Sequence, residues 1–355
     1  MPAADRGEGL FVAGRGSSPS DGLHHWVLSD AHWRGRLLAP VADLAALAMH
    51  PSLAVVYGVS GVGPGRIHAW DVSGGGARLL AEIASGGDEP CHVAVDPTGR
   101  MLVVANYTSG SLAVVGLSAD GAFVGDLQLL SPDGRSVDPD RQSRSHPHQS
   151  VFVGDHLLVV DLGADRVLEF SVDLGAEASD PTAGGIALTL VSASAVPPGT
   201  GPRHLVALPG GKVAITGELA ATILVGKLRG GADGWAVAAS TTKTGPAGTR
   251  TPRNYPGDIT SSADGTLVYL ANRGYDTVAA VRVGATNPEL AIERDAGVGW
   301  PQHLLRWGNE LLVAGSDSSC VTALPLVDGI PGEARMLFAC AGASWMLADG
   351  GRTHR

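Results

Sequence analysis

Short apolar runs bounded by turn residues recur along the chain, and their spacing points to an architecture. Four stretches carry the pattern most clearly: PCHVAVDPTGRMLVVANYTSGSLAVVGL from Pro90, PHQSVFVGDHLLVVDLGADRVLEFSV from Pro147, PRHLVALPGGKVAITGELAATILVGKL from Pro202 and PGDITSSADGTLVYLANRGYDTVAAVRV from Pro256. Each reads as strand, turn, strand, turn, strand. A weaker copy, PQHLLRWGNELLVAGSDSSCVTALPL, starts at Pro301, and an earlier one, LAMHPSLAVVYGVSGVGPGRIHAWDV, at Leu47. The starts from Pro90 to Pro301 lie 57, 55, 54 and 45 residues apart. A period of roughly 50 residues with three or four strands per unit is the pattern of propeller blades. The runs MLVVA, LLVV, LVYLA and ELLVA do not alternate apolar with polar, which predicts strands covered on both faces by neighbouring blades. Asp96-Pro97-Thr98-Gly99 and Ala263-Asp264-Gly265-Thr266 supply β-turns between them.

Six repeats are visible. The N-terminal GLFVAG and HHWVLS and the C-terminal MLFACAG and SWMLA remain as orphan strands. A seventh blade built from both ends would close the ring and remove exposed sheet edges. The prediction is an all-β, seven-bladed propeller closed by N- and C-terminal strands, with residues 1–355 forming one domain. Inserts at roughly 124–145, 174–200 and 229–255 are rich in Gly, Ser, Asp and Pro and read as outer hairpins and surface loops.

Composition agrees. The 355 residues include 50 glycines and 22 prolines, too many turn formers for a helical bundle. Aromatics are only 5%, so the core must come from Val, Leu, Ile and Ala. A net charge of -10 argues against a nucleic-acid partner. Cys91, Cys320 and Cys340 form no CxxC pair, so no disulfide framework or zinc site is expected. With no signal-peptide pattern and no apolar run of transmembrane length, the expectation is a soluble cytoplasmic protein without membrane contact. There is no GxSxG elbow and no P-loop, and GVSGVGPG reads as a turn.

In a propeller, equivalent positions of the innermost strands face each other across the axis. Aligning the repeats gives polar columns. One holds Cys91, His148, Arg203, Gly257 and Gln302; the next holds His92, Gln149, His204, Asp258 and His303. A third, after the second strand, holds Tyr107, Leu162, Glu218, Arg273 and Asp317, preceded by Asn106, Asp161, Gly217, Asn272 and Ser316. Residue type changes from blade to blade while polarity persists, as an asymmetric ligand requires of a pseudo-symmetric frame. The recurring His92, His204 and His303 equally fit inter-blade hydrogen bonds. Arg203 and Arg273 are permanently charged forks suited to a carboxylate or phosphate. His148 titrates near neutrality and suits a general base. Glu218 can orient that imidazole, position water or pair with an arginine. His146 and His148 share a strand face, without a third ligand to suggest a metal.

The stretches PCHVAVDPTGRMLVVANYTSGSLAVV, HPHQSVFVGDHLLVVDLGADRV, GTGPRHLVALPGGKVAITGEL and NYPGDITSSADGTLVYLANRGYDTVAAVRV together resemble the lactonase family of seven-bladed propellers. That family includes propeller-type 6-phosphogluconolactonase and carboxy-muconate cyclase. The resemblance spans roughly residues 45–325. It implies lactone chemistry in the central channel, with His148 in HPHQ, Arg203 in GPRH, Glu218 in GEL and Arg273 in NRG as the matching residues. His148, Glu218 and Arg203 are then the catalytic set, with His148 as base, Glu218 its partner or a water positioner, and the arginines as anion clamp and carbonyl polariser. Arg273, Asp258, His204, His92 and Gln302 are the substrate-binding set. The implied reaction is metal-independent and cofactor-free hydrolysis of a small anionic lactone. A muconate-type ring closure and a non-catalytic ligand- or protein-binding propeller are the alternatives. Three positions depart from the family: Asp258 replaces a glutamate, Gln302 an arginine, and Ser60 an acidic residue. Losing that arginine favours a plain carboxylate over a doubly charged phosphate ester.

Overall fold

The computed structural model describes residues 9–175, 185–229, 234–241, 253–284 and 287–349. Within them seven antiparallel sheets are arranged around one axis, and no α-helix occurs. Blade 1 runs outward through Leu44–Met49, Val55–Ser60, Arg66–Asp71 and Arg78–Ala84, and blade 2 through Pro90–Val95, Met101–Asn106, Ser111–Leu117 and Phe123–Leu130. Blade 3 begins at Pro147–Val153, blade 4 at Pro202–Leu208, blade 5 at Tyr255–Ser261 and blade 6 at Pro301–Trp307. Each inner strand touches the next, and the circle closes through Ala343–Ala348 between blades 6 and 1.

Blade 7 is the closing blade and is shared by the two ends of the chain. Its inner strand Ala343–Ala348 pairs with Gly9–Gly14, with Leu10 opposite Ala348 and Val12 opposite Met346. Gly22–Ser29 and His32–Pro40 complete it. One expected closing strand belongs elsewhere. The MLFA of MLFACAG lies in Arg335–Ala339, the outer strand of blade 6, paired with Cys320–Val327. A length and hydrophobicity suited to blade 7 equally suit the outer edge of its neighbour, and pairing decides between them. The predicted inserts are also partly strand: Phe123–Leu130, Ala187–Ala195 and Trp235–Ala239 are the outer strands of blades 2, 3 and 4. The parts of those inserts at 176–184, 230–233 and 242–252 lie outside the described residues.

The second strands are buried on both faces, and in blades 1 to 6 so is the middle of the third, as the unalternating apolar runs require. Met101–Asn106 and Ser111–Leu117 are buried throughout. Their side chains form aliphatic layers with the adjacent blades: Met101, Val103 and Ala105 meet Leu157, Val159 and Leu168 of blade 3, and Leu102 and Val104 meet Tyr57 and Val59 of blade 1.

A recurrent irregularity sets up the axis. In the inner strands of blades 1 to 6 the pairing with the second strand slips within the first residues: between Leu44 and Ala46, Pro90 and His92, Pro147 and Gln149, Pro202 and Leu205, Pro256 and Ile259, and Pro301 and His303. A bulge leaves its extra residue out of the ladder and re-aims its side chain. The residues so released are Ala45, Cys91, His148, Arg203 with His204, Gly257 with Asp258, and Gln302.

Candidate active site

Most of the bulged residues converge on one cavity of about 380 Å³ at the end of the axis where the inner strands begin. Ala45, Cys91, His148, Arg203, His204 and Gln302 line it from the inner strands, and Trp345 does so from the closing strand. Gly257 is bare for a reason. A Cβ there would stand 3.0 Å from Arg273 Nε and 3.1 Å from its Cδ, so the missing side chain is the space through which Arg273 reaches the cavity.

Charge is concentrated on one side of the cavity. Glu218 is 3% exposed and carries three guanidinium contacts. Arg203 Nη1 lies 2.7 Å and Arg273 Nη2 2.6 Å from its Oε2, and Arg141 Nη2 lies 2.8 Å from its Oε1. Burial alone would raise the Glu218 carboxyl; Arg273, Arg203 and Arg141 together outweigh it and hold the group well below the usual carboxylate range. One anion against three permanent cations leaves the cluster with excess positive charge, so it favours an anionic guest. Arg203 Nε is buried without a partner among the described residues, a further donor at the same place. Burial, reinforced by Arg203, pushes Arg273 down to about 10, which still leaves it charged at neutral pH.

His148 is buried beside this cluster. Arg203 Nη1 donates to its Nε2 at 2.5 Å, which makes that nitrogen the acceptor and leaves the proton on Nδ1. Nδ1 faces Cys91 Sγ at 3.8 Å. Burial first, and the neighbouring Arg203 next, hold the imidazole well below its ordinary pKa. The Tyr107 ring stands edge-on to His148 at 5.3 Å, and its hydroxyl accepts from Arg141 at 3.0 Å. Burial pushes the Cys91 thiol up to about 12, which removes it as a thiolate nucleophile.

The arrangement differs from the expected pairing. Glu218 does not hold the imidazole: the Arg203 guanidinium stands between them, its Nη1 shared by the carboxylate and Nε2. The polar column one residue deeper divides. His204 lines the cavity with its ring and bonds Asp258 Oδ1 through Nδ1 at 2.8 Å. His92 and Asp258, expected to bind substrate, are not among the lining residues. Asp258 Oδ2 instead accepts the Leu304 N–H at 2.9 Å, tying blade 5 to blade 6. His92 Nδ1 accepts the Ser150 N–H, and Gln149 Oε1 accepts the Leu205 N–H at 2.7 Å. His92, Gln149 and Asp258 at this depth point at a neighbouring blade; in blades 2, 3 and 6 the ladder resumes at this residue, whereas in blades 4 and 5 the slip extends through His204 and Asp258. His146 is occupied as well: its ring stacks on Tyr107 at 4.8 Å, and its Nδ1 lies 2.7 Å from the Tyr107 carbonyl.

Several lining residues escaped the repeat alignment. Arg141 comes from the loop between blades 2 and 3, outside the repeated strands; Gln142 anchors it by donating to the Leu162 carbonyl at 2.9 Å. Glu89, Tyr255 and Trp300 each precede the first proline of a blade, a column that could have been aligned. Arg15 enters from the end of Gly9–Gly14 and stands 3.5 Å from Glu89.

The sequence model described as lactonase, 7-bladed beta-propeller, matches residues 10–329. The chain belongs to that family. Among its lactonase relatives, a Bacillus subtilis protein named 6-phosphogluconolactonase is 26% identical over 75% of each chain. Another so named, from Formosa agariphila, is 27% identical over 77% of this chain and 78% of its own. The crystal structure of a Lactobacillus plantarum protein superposes with a TM-score of 0.83 at 25% identity, covering 96% of this chain and 99% of that one. No helix among the described residues is long and apolar enough to cross a membrane.

Proposed function

We propose that this lactonase-family chain hydrolyses an anionic sugar lactone, of the 6-phosphogluconolactone kind, in the arginine-lined cavity. The observation that carries the reading is the placement of three guanidiniums around one carboxylate, next to an imidazole kept neutral. The names of the Bacillus subtilis and Formosa agariphila relatives support it. Free Cys91, Cys320 and Cys340 suit a reducing compartment such as the cytoplasm.

The chemistry follows from these roles. The substrate's anionic group binds the excess positive charge and draws hydrogen bonds away from Glu218 and His148. Once Arg203 turns to the substrate, the Nε2 lone pair of His148 is free to take a proton from water. The hydroxide so formed adds to the lactone carbonyl carbon, and Arg203 and Arg273 stabilise the tetrahedral oxyanion. Collapse breaks the ring C–O bond, and the proton on His148 passes to the departing ring oxygen, giving a hydroxy acid. Glu218 positions the arginines and limits their mutual repulsion. Gln302 adds a neutral donor and acceptor in the wall.

The test is a panel of lactones, phosphorylated and not, assayed with wild type, His148→Ala and Arg203→Ala, with and without chelator. Wild type should turn over the phosphorylated or carboxylated lactones best, with or without chelator. His148→Ala should lower kcat by about 100-fold or more, the usual worth of a general base, without unfolding. Folded variants within about ten-fold of wild type would overturn the assignment, since a tenfold change corresponds to only ~1.4 kcal/mol of transition-state stabilisation.

A further inference from the structure

At the entry to the inner strand of blades 1, 2, 4, 6 and 7 the backbone turns through a left-handed residue; in blade 1 it is Asp43 with φ 52°, which does not line the cavity. In blades 4 and 7 that residue is glycine, Gly201 with φ 58° and Gly342 with φ 55°. A Cβ would stand 2.3 Å from Leu219 Cγ at the first and 2.0 Å from the Arg15 carbonyl oxygen at the second. At the same point blade 2 has Glu89 with φ 51° and blade 6 has Trp300 with φ 54°. Side chains rarely adopt this conformation, and where they do it must be held from outside. Here it is: Trp300 N–H donates to Asp276 Oδ1 at 2.9 Å, and Glu89 N–H donates to the Val62 carbonyl at 2.8 Å. The fold could use glycine at both places, yet it keeps two large side chains, and both line the cavity.

Their chemistry is complementary. The Trp300 ring is half-buried, with Arg273 Cζ 5.4 Å from its centroid and the Tyr255 ring 6.1 Å away. An aromatic face beside a guanidinium suits a ring with a C–H face and an anionic substituent. Glu89 has Oε2 fixed by Thr108 Oγ1 at 2.7 Å, while Oε1 meets Arg15 only at 3.5 Å and remains open to other donors. Blades 2 and 6 are three steps apart in a seven-blade circle, so the two residues stand on nearly opposite sides of the mouth. The cations that take the anion, Arg203 and Arg273, come from blades 4 and 5 on the remaining side.

We propose that Trp300 is the stacking platform for the ring of a sugar lactone and that Glu89 accepts hydrogen bonds from its hydroxyls. The pair thereby selects a polyhydroxylated ring over other anionic or plain lactones. This rests on the lactonase reading for its substrate class, and it adds two specificity-determining residues to that reading.

The experiment compares wild type with Trp300→Gly, Trp300→Phe and Glu89→Gln. Glycine relieves the left-handed strain, so Trp300→Gly should fold, which its unfolding transition checks; Trp300→Phe keeps a smaller ring if it does not. The readouts are calorimetric affinity for 6-phosphogluconate and for inorganic phosphate, and the ratio of kcat/KM for gluconolactone to that for δ-valerolactone, which has the ring without hydroxyls. Trp300→Gly should weaken 6-phosphogluconate about ten-fold, the order of one lost aromatic contact, and weaken phosphate far less. Trp300→Phe should recover part of the loss, and Trp300→Gly and Glu89→Gln should each lower the gluconolactone preference. Equal loss for both ligands, or an unchanged lactone ratio, would overturn the platform while leaving hydrolysis intact. Conversely, Trp300-dependent binding of 6-phosphogluconate without turnover of any lactone would overturn the hydrolase reading and leave the platform standing.

Discussion

A buried imidazole resists protonation, and four histidines near the axis share that burial. His148 and His204 are lowered by burial and by nearby Arg203; burial takes His92 down to about 3 and His303 to about 4. The sign of the consequence is fixed by linkage. Below the unfolded value near 6.5 the unfolded chain binds protons that the folded protein refuses, so stability is complete above that pH and falls as pH drops. Each such histidine contributes a slope of about 1.4 kcal/mol per pH unit, down to its own folded pKa. Urea midpoints measured from pH 7 to 4.5 should therefore fall steeply, whereas the acid limb of kcat/KM should lie below 6.5 because His148 stays neutral there. A flat midpoint over that range would contradict the burial of these imidazoles. At this scale four residues of the candidate cavity were legible as a polar pattern. His148, Arg203, Glu218 and Arg273 sit in columns whose polarity outlasts any single residue type. Arg141 could not be read that way, because it arrives on a loop outside the aligned strands. The pairing of Glu218 with arginines instead of with His148 was equally hidden, since a sequence gives position in a blade but not the rotamer that places Arg203 between them.

At the scale of the strand, the bulge turns a repeated inner strand into a display of unlike side chains. Residues one step apart can fall into different environments: Cys91 and His148 line the cavity, whereas His92 and Gln149 meet the next blade, and His204 does both, lining the cavity while bonding Asp258. Polarity in the repeat marks both columns, His148 and Arg203 as catalytic and Gln302, His92, His204 and Asp258 as substrate-binding expectations, and in blades 2, 3 and 6 the register slip separates the two columns. Gly257 offers the sharpest check. With alanine there, the new Cβ meets the Arg273 stem at 3.0–3.1 Å, closer than most side-chain contacts tolerate, and the stem must shift. Arg273 Nη2 would then lose its 2.6 Å contact with Glu218 Oε2. A full displacement of about 1 Å near reacting atoms costs about 100-fold in rate, and a shift of a few tenths of an ångström costs less. Gly257→Ala should accordingly lower kcat/KM by about ten-fold while its thermal transition moves only a few degrees. Wild-type kinetics in this variant would mean that Arg273 has another route to the cavity.

For the whole molecule, the ring converts a local seam into a global constraint. Six blades are each closed by consecutive chain, but blade 7 holds only because Gly9–Gly14 finds Ala343–Ala348 from the other end of the chain. The seam also carries function: Trp345 on that strand lines the cavity and packs 4.1 Å from His303, and Ser344 Oγ donates to the Leu44 carbonyl of blade 1 at 3.0 Å. That the ends would meet was readable from the orphan strands, but which C-terminal strand does the pairing was not, because Arg335–Ala339 is equally apolar. Met346 tests how far closure governs stability. It is fully buried among Leu10, Val12, Leu312 and Phe338, opposite Val12 across the seam. Met346→Ala removes a core side chain and should cost about 3 kcal/mol. If the ring closes as one cooperative unit, that loss will appear as a shift of a single urea transition with unchanged slope, followed identically by tryptophan fluorescence and circular dichroism. If blade 7 opens independently, the two probes will separate, because Trp345 leaves its site while the sheets of blades 1 to 6 persist. The second outcome would make the cavity floor, and with it substrate binding, the first thing lost on destabilisation.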